Sequence, residues 1–302
     1  MIVRNHLPLR RIWPHVSKRL ALLLAFDISI AWLYTGFGFK WLAVSTLPLS
    51  MIGGALSIFL AFRNNSAYDR WWEARTLWGG LVNTSRTFAR QVLTLIDGDP
   101  REHADADSRR TLVELQIAYV HALRCHLRRQ NPFPELERTL PADVVGYLRT
   151  QRNVPLGILL VKGRILRRLY DAGRLDSFRF TTIDGTLSDL CNVQGACERI
   201  KNTPLPRQYE YFPRVLVGMF NLLLPFGLVE GLGMLTPVAS TLISFIFVCL
   251  DAIGRDIENP FENTVHDTPM STLSRTIEVN LRQNLGEDNL PGEVRPVEGF
   301  AY

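Results

Sequence analysis

The sequence predicts an all-α membrane protein with four transmembrane helices and a cytosolic helical bundle. Three observations carry this prediction: apolar stretches near both ends of the chain, a charged middle, and one very long uninterrupted helix over residues 48–96. With 302 residues and 47% hydrophobic content, the average composition alone would suit one large soluble domain. The uneven distribution of the apolar residues argues against that simpler class.

The predicted long helix changes solvent along its length. It is apolar over residues 48–62 and charged afterwards, and no proline follows Pro48 before Pro100. The helix would cover ~70 Å at ~1.5 Å per residue, more than twice a hydrocarbon core of ~30 Å. It therefore begins in the membrane and leaves it, because helical hydrogen bonds keep the backbone amides satisfied across the boundary.

Small residues and one recurring stripe mark the apolar part of this helix. Gly53, Gly54 and Ser57 permit close helix approach, and a lone subunit is expected to leave them without close partners. Gly54, Ile58 and Phe62 recur at intervals of four residues on one stripe. That spacing suits ordinary helix packing or a pore lining, and on its own it favours packing.

Three further apolar stretches complete the predicted set of spans. Residues 20–37 are almost wholly apolar, with Asp27 the one charged group. Asp27 would either hydrogen-bond a neighbouring helix or lie near an ion path, because intramembrane acids usually face the bundle interior. The later stretches cover residues 211–229 and 234–253. Three prolines are expected to kink or bound them: Pro213, Pro225 and Pro237.

The distribution of basic residues places both termini in the cytoplasm. Five basic residues precede the first apolar stretch, whereas the loop 38–46 has only Lys40. No obvious small-residue cleavage site follows that stretch, which is therefore expected to remain as a helix. The predicted organisation is a cytosolic N-terminal segment (1–19), a first transmembrane hairpin (20–62), a cytosolic helical region (63–210), a second transmembrane hairpin (211–253) and a cytosolic C-terminal segment (254–302).

The charged middle of the chain is predicted to form an all-helical bundle. The long helix is expected to stop at residues 97–100, where the sequence Asp-Gly-Asp-Pro makes a strong turn signal. Several segments after it have apolar positions at helical spacing. These predicted helices cover residues 108–128, 141–151, 155–172 and 182–200.

Motifs for catalysis, cofactors and nucleic acid are absent from the sequence. Without a phosphate loop, nucleophile elbow or dinucleotide fingerprint, neither an enzyme nor a cofactor site is predicted. The four cysteines lack zinc-type spacing, and disulfides are not expected. His121, Cys125 and the adjacent His126 more readily form a chance pairing on a bundle surface than a metal site. Arginines that flank the spans account for the net charge of +5, so no nucleic-acid partner is inferred.

One long motif carries a resemblance to a known family. Residues 58–75 read IFLAFRNNSAYDRWWEAR and are followed by LWG at 77–79. This run resembles the signature of the bestrophin family, specifically its bacterial branch. Supporting segments are ERI at 198–200, TPLP at 203–206 and IENPF at 257–261. The resemblance covers nearly the whole chain.

The resemblance implies a homopentameric ion channel in the bacterial inner membrane. Its partners would be further copies of itself, the lipid bilayer and permeating inorganic ions. Family members line a hydrophobic neck with residues that match Gly54, Ile58 and Phe62. Gly54 departs from the bulky residue usual there, so the other two would form the constriction. Leu205 matches a residue of the cytosolic aperture, although its flanking prolines also suit a residue packed where a helix begins.

The resemblance and the residues disagree about selectivity. Animal bestrophins pass anions, which implies chloride conduction. The stripe continued inward reaches Asp69 and Glu73, whose carboxylates would form acidic rings that attract cations. Alternatively, Glu73 pairs with Arg70 and both carboxylates are neutralised. Calcium gating, known from animal members, is not expected because residues 262–267 provide too few adjacent carboxylates.

Two other classes of membrane protein are alternatives to a channel. A secondary transporter would show inverted repeats and broken helices, which the long uninterrupted helix argues against. A membrane-anchored regulatory helical protein stays open as the second alternative.

Overall fold

The computed structural model of the protein describes residues 9–98, 108–292 and 294–295. These residues are helical or irregular, with no strand among them, so the predicted all-α class is confirmed. Residues 1–8 of the predicted N-terminal segment, Asp99 and Pro100 of the predicted turn, and residues 296–302 lie outside the described residues. The described α-helices are α1 (Leu9–Thr35), α2 (Thr46–Leu95), α3 (Ser108–Leu127), α4 (Phe133–Leu136), α5 (Ala142–Arg149), α6 (Val154–Asp171), α7 (Ser177–Asn202), α8 (Arg207–Leu232), α9 (Thr236–Glu258) and α10 (Met270–Asn284).

The predicted long helix is α2. It contains 50 residues and ends directly before the predicted turn signal, so its existence and approximate bounds are confirmed. At ~1.5 Å per residue it extends ~75 Å. The helix continues from the apolar segment into the charged segment without a break.

The chain divides into two compact units. The first, here called the hairpin unit, comprises the described residues of 4–71 and 204–259. The second, here called the bundle unit, comprises those of 72–203 and 260–302. The boundary at position 71 lies within α2, so this helix contributes one part to each unit.

The hairpin unit consists of α1, the first part of α2, α8 and α9. Helix α9 packs against both α1 and α8, and the rings of Phe220 and Phe247 meet edge to face with their centroids 4.9 Å apart. The outer surface is apolar too, with Leu22 74% and Val238 68% exposed. Helices that are apolar on all sides are typical of membrane spans. The buried core residues are Leu20, Leu56, Leu60, Val217, Phe220, Leu224, Phe247 and Val248.

Two helical stretches among the described residues are long and apolar enough to cross a membrane: Lys40–Leu95 and Arg207–Glu258. The second contains α8 and α9, joined by the 3-10 helix Gly233–Leu235. Its 52 residues suffice for two crossings of ~20 residues each. The count of four spans stays a prediction.

Helix α8 begins earlier than the sequence predicts and accommodates two prolines. It starts at Arg207 and continues through Pro213 and Pro225. Pro237 instead occupies the first turn of α9, where its missing N–H costs no helical hydrogen bond. Of the three prolines, only Pro237 bounds a helix.

The bundle unit packs around α3. This helix contacts α4, α6, α7 and α10, and most of its residues are buried. All four helices predicted here are present as α3, α5, α6 and α7. Helix α7 begins five residues earlier than predicted, because the Asp176 carboxylate accepts a hydrogen bond from the Arg179 N–H at 2.9 Å and caps the helix. Helices α4 and α10 were not predicted.

Candidate functional site

The first part of α2 has one face packed inside its own unit and one face uncovered. Ile58 and Phe62 are 60% and 64% exposed, whereas Leu56 and Leu60 are 4% and 1% exposed. Buried residues recur every three or four positions along this face, as expected for a packed helix. Its members are Leu49, Gly53, Leu56, Leu60, Arg63 and Ala67. The uncovered stripe consists of Leu47, Met51, Gly54, Ile58, Phe62, Asn65 and Asp69.

The two adjacent glycines lie on different faces. A Cβ added at Gly53 would lie 3.1 Å from the Phe220 ring, so this glycine permits close approach of α8 within the same chain. The expectation that Gly53 lacks a partner in a lone subunit is therefore wrong. A Cβ at Gly54 would have no neighbour within 4 Å. Ser57 donates a hydrogen bond to the Gly53 carbonyl at 2.8 Å.

Polar contacts join α2 to α9 directly after Phe62. The Arg63 Nη1 donates to Asp251 Oδ1 at 2.7 Å, and the two side chains are 1% and 0% exposed. Asn64 Nδ2 donates to the Leu250 carbonyl at 3.0 Å, and Arg70 Nε donates to the Glu258 carbonyl at 2.9 Å. The sequence interpretation missed these contacts, because the partners are about 190 residues apart in the chain.

The two acidic candidates differ in their surroundings. Glu73 forms an ion pair with Arg199 of α7. The predicted alternative in which Arg70 neutralises Glu73 is therefore wrong in its partner, although Glu73 is indeed paired. Asp69 is exposed on the uncovered stripe, and no described residue forms an ion pair or hydrogen bond with its carboxylate. Of the two, only Asp69 lacks a charge partner among the described residues.

Leu205 lies in a short irregular link between α7 and α8. Its side chain is half-buried, and the flanking Pro204 and Pro206 are exposed. Pro206 immediately precedes the first residue of α8. Both roles considered from the sequence, an aperture residue and a residue packed where a helix begins, stay predictions.

Asp27 is fully buried between helices of the hairpin unit. Thr241 of α9 donates a hydrogen bond from Oγ1 to Asp27 Oδ2 at 3.2 Å. The alternative that Asp27 hydrogen-bonds a neighbouring helix is confirmed.

Two carboxylates of the bundle unit whose pKa values are strongly lowered, those of Glu135 and Glu278, lie beside His121. The two ring nitrogens of His121 lie 2.9 Å from Glu135 Oε2 and 3.0 Å from Glu278 Oε2. Burial opposes the charge of this side chain, but the hydrogen bonds to Glu135 and Glu278 outweigh burial and raise the pKa of His121. The hydrogen bond from His121 lowers the pKa of Glu135 to about 2. Burial works against the ionised form of Glu278, yet His121 and nearby arginines lower its pKa to about 2.

A carboxylate oxygen lies close to each ring nitrogen of His121, an arrangement that favours the imidazolium form of this side chain. Cys125 is not part of this arrangement, and His126 lies 3.4 Å from Glu198 instead. The described residues contain no group of three or more candidate ligands that could hold a metal ion.

The carboxylates after the fourth predicted span are occupied as well, since Glu262 pairs with Lys201 at 2.7 Å and Asp267 accepts from Thr264.

Comparison with known proteins gives strong matches over most of the chain. Residues 8–283 match the bacterial and fungal bestrophin protein family. Over 306 residues the chain is 39% identical to a voltage-dependent anion channel-forming protein of Ralstonia nicotianae, with 97% of each chain covered. It is 34% identical over 284 residues to the voltage-dependent anion channel-forming protein YneE of Escherichia coli, covering 93% of this chain and 90% of that relative. A solved bacterial bestrophin homolog from Klebsiella pneumoniae is 32% identical with a TM-score of 0.83, covering 91% of this chain and 100% of that one.

These relatives and the helical fold define a channel-forming membrane protein. The chain belongs to the bacterial and fungal bestrophin family, which is a family of ion channels and not of enzymes.

Proposed function

We propose that five copies of this chain form a passive ion channel whose pore is lined by the uncovered stripe of α2. The observation that carries the proposal is the exposure of Ile58 and Phe62 on the side of α2 opposite its own unit. A side chain in a pore must be left free by its own subunit. These two residues meet that condition in a helix whose other face is packed.

The neck of this channel is hydrophobic. Rings of Ile58 and Phe62 offer a permeating ion no polar group in place of its hydration shell, so radius and wetting set the barrier. At Gly54 the neck is wider, because this residue has no side chain. Leu205 forms a second apolar constriction at the cytosolic exit.

Anion conduction, with chloride as the expected ion, is the selectivity that these residues favour. The relatives from Ralstonia nicotianae and Escherichia coli are both described as voltage-dependent anion channel-forming proteins. In this chain the pairing with Arg199 removes Glu73 as a source of uncompensated negative charge. Asp69, which has no ion-pair partner in the described part of the chain, supports the second candidate, a cation-permeable channel, because a ring of like charges concentrates counter-ions.

The proposed topology has four spans within residues 20–62 and 211–253, with both termini in the cytoplasm of a bacterial inner membrane. Aromatic side chains at the end of α1 and directly after it support a membrane interface there, where Trp and Tyr are enriched. The rings of Trp32 and Phe37 lie 5.0 Å apart, and Trp41 is 78% exposed. The cytosolic parts are then residues 1–19, 63–210 and 254–302.

Recordings from the purified protein in planar lipid bilayers test this function. Single-channel steps are expected, and Ile58→Ala or Phe62→Ala should raise the unitary conductance by widening and wetting the neck. Leu22→Ala is the matched control, since Leu22 is an equally exposed apolar residue on α1. Absence of steps would favour a transporter or a membrane-anchored regulatory protein. Channel steps whose unitary conductance is unchanged in both Ile58→Ala and Phe62→Ala would show that these residues do not line the pore.

A further inference from the structure

Apolar packing alone does not fix the rotation of α2 in a membrane. Lipid tails are as apolar as leucine, so burying Leu56 or Leu60 against a neighbouring helix gives little preference over exposing them to lipid. The apolar segment carries large apolar residues on both faces, including Ile58 and Phe62. A contact that favours one rotation of α2 over another must therefore be polar.

The polar contacts between α2 and α9 have that property. Arg63 and Asp251 are almost completely buried and lie 2.7 Å apart. Rotating Arg63 away from α9 would leave the Asp251 carboxylate buried, with Arg255 as its one remaining ion-pair partner among the described residues, 3.4 Å from its other oxygen. Losing one partner of a buried ion pair is strongly unfavourable, because the remaining charge stays desolvated.

The neighbouring contacts act at the same face of α2. Asn64 donates to the Leu250 carbonyl, and a Cβ at Gly254 would overlap the Asn64 side-chain oxygen. Position 254 therefore suits glycine, which lets α9 approach this part of α2 closely. About two helical turns after Arg63, Arg70 donates to the Glu258 carbonyl.

We infer that the Arg63–Asp251 ion pair positions the pore lining: it fixes the rotation of α2 and thereby directs Ile58 and Phe62 away from their own subunit. Arg63 follows Phe62 directly, about 100° further around the helix. As long as Arg63 is held against α9, Phe62 points to the uncovered side. This inference rests on the proposed function and adds to it a residue pair that does not itself face the uncovered stripe.

Thiol labelling in sealed lipid vesicles tests the inference without depending on current. The parent protein carries serine at its four cysteine positions, and single cysteines are introduced as Ile58→Cys or Leu60→Cys. A charged, membrane-impermeant thiol reagent reaches only positions in contact with water. Mass spectrometry gives the two labelling rates, and Ile58→Cys should react at least about tenfold faster, a factor equal to ~1.4 kcal/mol. The replaced cysteines are Cys125, Cys191, Cys197 and Cys249.

The decisive variant is Arg63→Met with Asp251→Leu, which removes both charges and leaves neither buried alone. The ratio of the two labelling rates should collapse towards one, and the exchanged pair Arg63→Asp with Asp251→Arg should restore it. Arg167→Met with Asp171→Leu is the control, since it removes an exposed ion pair on α6 and should leave the ratio unchanged. If the apolar double variant does not assemble, the nearly isosteric Asp251→Asn takes its place.

An unchanged ratio in an assembled variant of the Arg63–Asp251 pair overturns the inference. In that case the parent protein would still conduct and its Ile58→Cys form would still be labelled. A parent protein that neither conducts nor labels at Ile58→Cys would overturn the proposed function, and with it the inference.

Discussion

At the scale of single residues, charge on the uncovered stripe is the feature that should decide selectivity. Asp69 is exposed and unpaired among the described residues, whereas Glu73 shares its charge with Arg199. An exposed ion pair is worth little for stability, but it lowers the field that a passing ion experiences. The two carboxylates, which the sequence presents as equivalent, are therefore expected to behave differently.

Reversal potentials in asymmetric salt should reveal this difference. Asp69→Asn is expected to shift the reversal potential by several millivolts towards the anion limit, because it removes the unpaired charge in every subunit. Glu73→Gln combined with Arg199→Met should shift it much less, because the two changes together remove an ion pair whose charges already cancel. Asp171→Asn on α6, which is also ion-paired and exposed, is the control for charge outside the stripe. A strongly anion-selective wild type that is indifferent to Asp69→Asn would contradict a role for this residue.

At the scale of secondary-structure elements, His121 links three helices of the bundle unit. It lies on α3 and contacts Glu135 of α4 and Glu278 of α10. Its raised pKa means that the stability it contributes is complete below the ordinary value of 6.5 and is lost as pH rises through the raised value. The two carboxylates, whose pKa values fall from 4.5 to about 2, contribute stability that is lost as pH falls through that lower range.

The midpoint temperature of thermal unfolding of the purified protein should therefore decrease as the pH rises above 6.5. In His121→Gln this alkaline decrease should be absent, and the midpoint near pH 6 should already be lower, by an amount that corresponds to about 1–3 kcal/mol. His126→Gln, at a partly exposed histidine on the same helix, is the matched control and should retain the wild-type pH dependence. Equal pH profiles for wild type and His121→Gln would show that this ion cluster does not stabilise the unit.

The sequence predicts most of the helices, because α2, α3, α6 and α7 have long periodic patterns with clear stop signals. It predicts the stripe of Gly54, Ile58 and Phe62 by the same periodicity. It does not predict which face of α2 packs inside the chain, because large apolar residues occupy both faces of the apolar segment. The contact that distinguishes the faces, between Arg63 and Asp251, joins positions 188 residues apart and leaves no local pattern.

The missed helix α10 had a usable signal. Met270, Ile277 and Leu281 are buried and recur at helical spacing after Pro269. Helix α4 has only four residues, too few for periodicity to reveal. The sequence does not predict the polar partners of His121 or of Arg63, because these partners lie in elements that are distant along the chain.

At the scale of the whole molecule, the uncovered stripe is the feature on which the proposed assembly of several copies depends. It passes from apolar side chains at Ile58 and Phe62 to polar ones at Asn65 and Asp69. In the proposed topology Asn65 and Asp69 lie in the cytosolic part of α2, so the stripe runs from the membrane-spanning segment into water, as the lining of an ion path would. One helix cannot enclose such a path, and several copies around an axis can.

The proposed channel contains five copies of the chain. The detergent-purified protein, measured by light scattering with the detergent contribution subtracted, should therefore have five times the mass of the 34.4 kDa chain.

Gly54→Leu restores bulk to the uncovered stripe without touching the packed face, because a Cβ at this position meets nothing within 4 Å. It should keep the pentameric mass and lower the unitary conductance, whereas Gly53→Leu should disturb assembly through its clash with Phe220. A monomeric or dimeric wild type would contradict the pore, and a Gly54→Leu protein that cannot assemble would place this glycine in a subunit contact instead of the channel lumen.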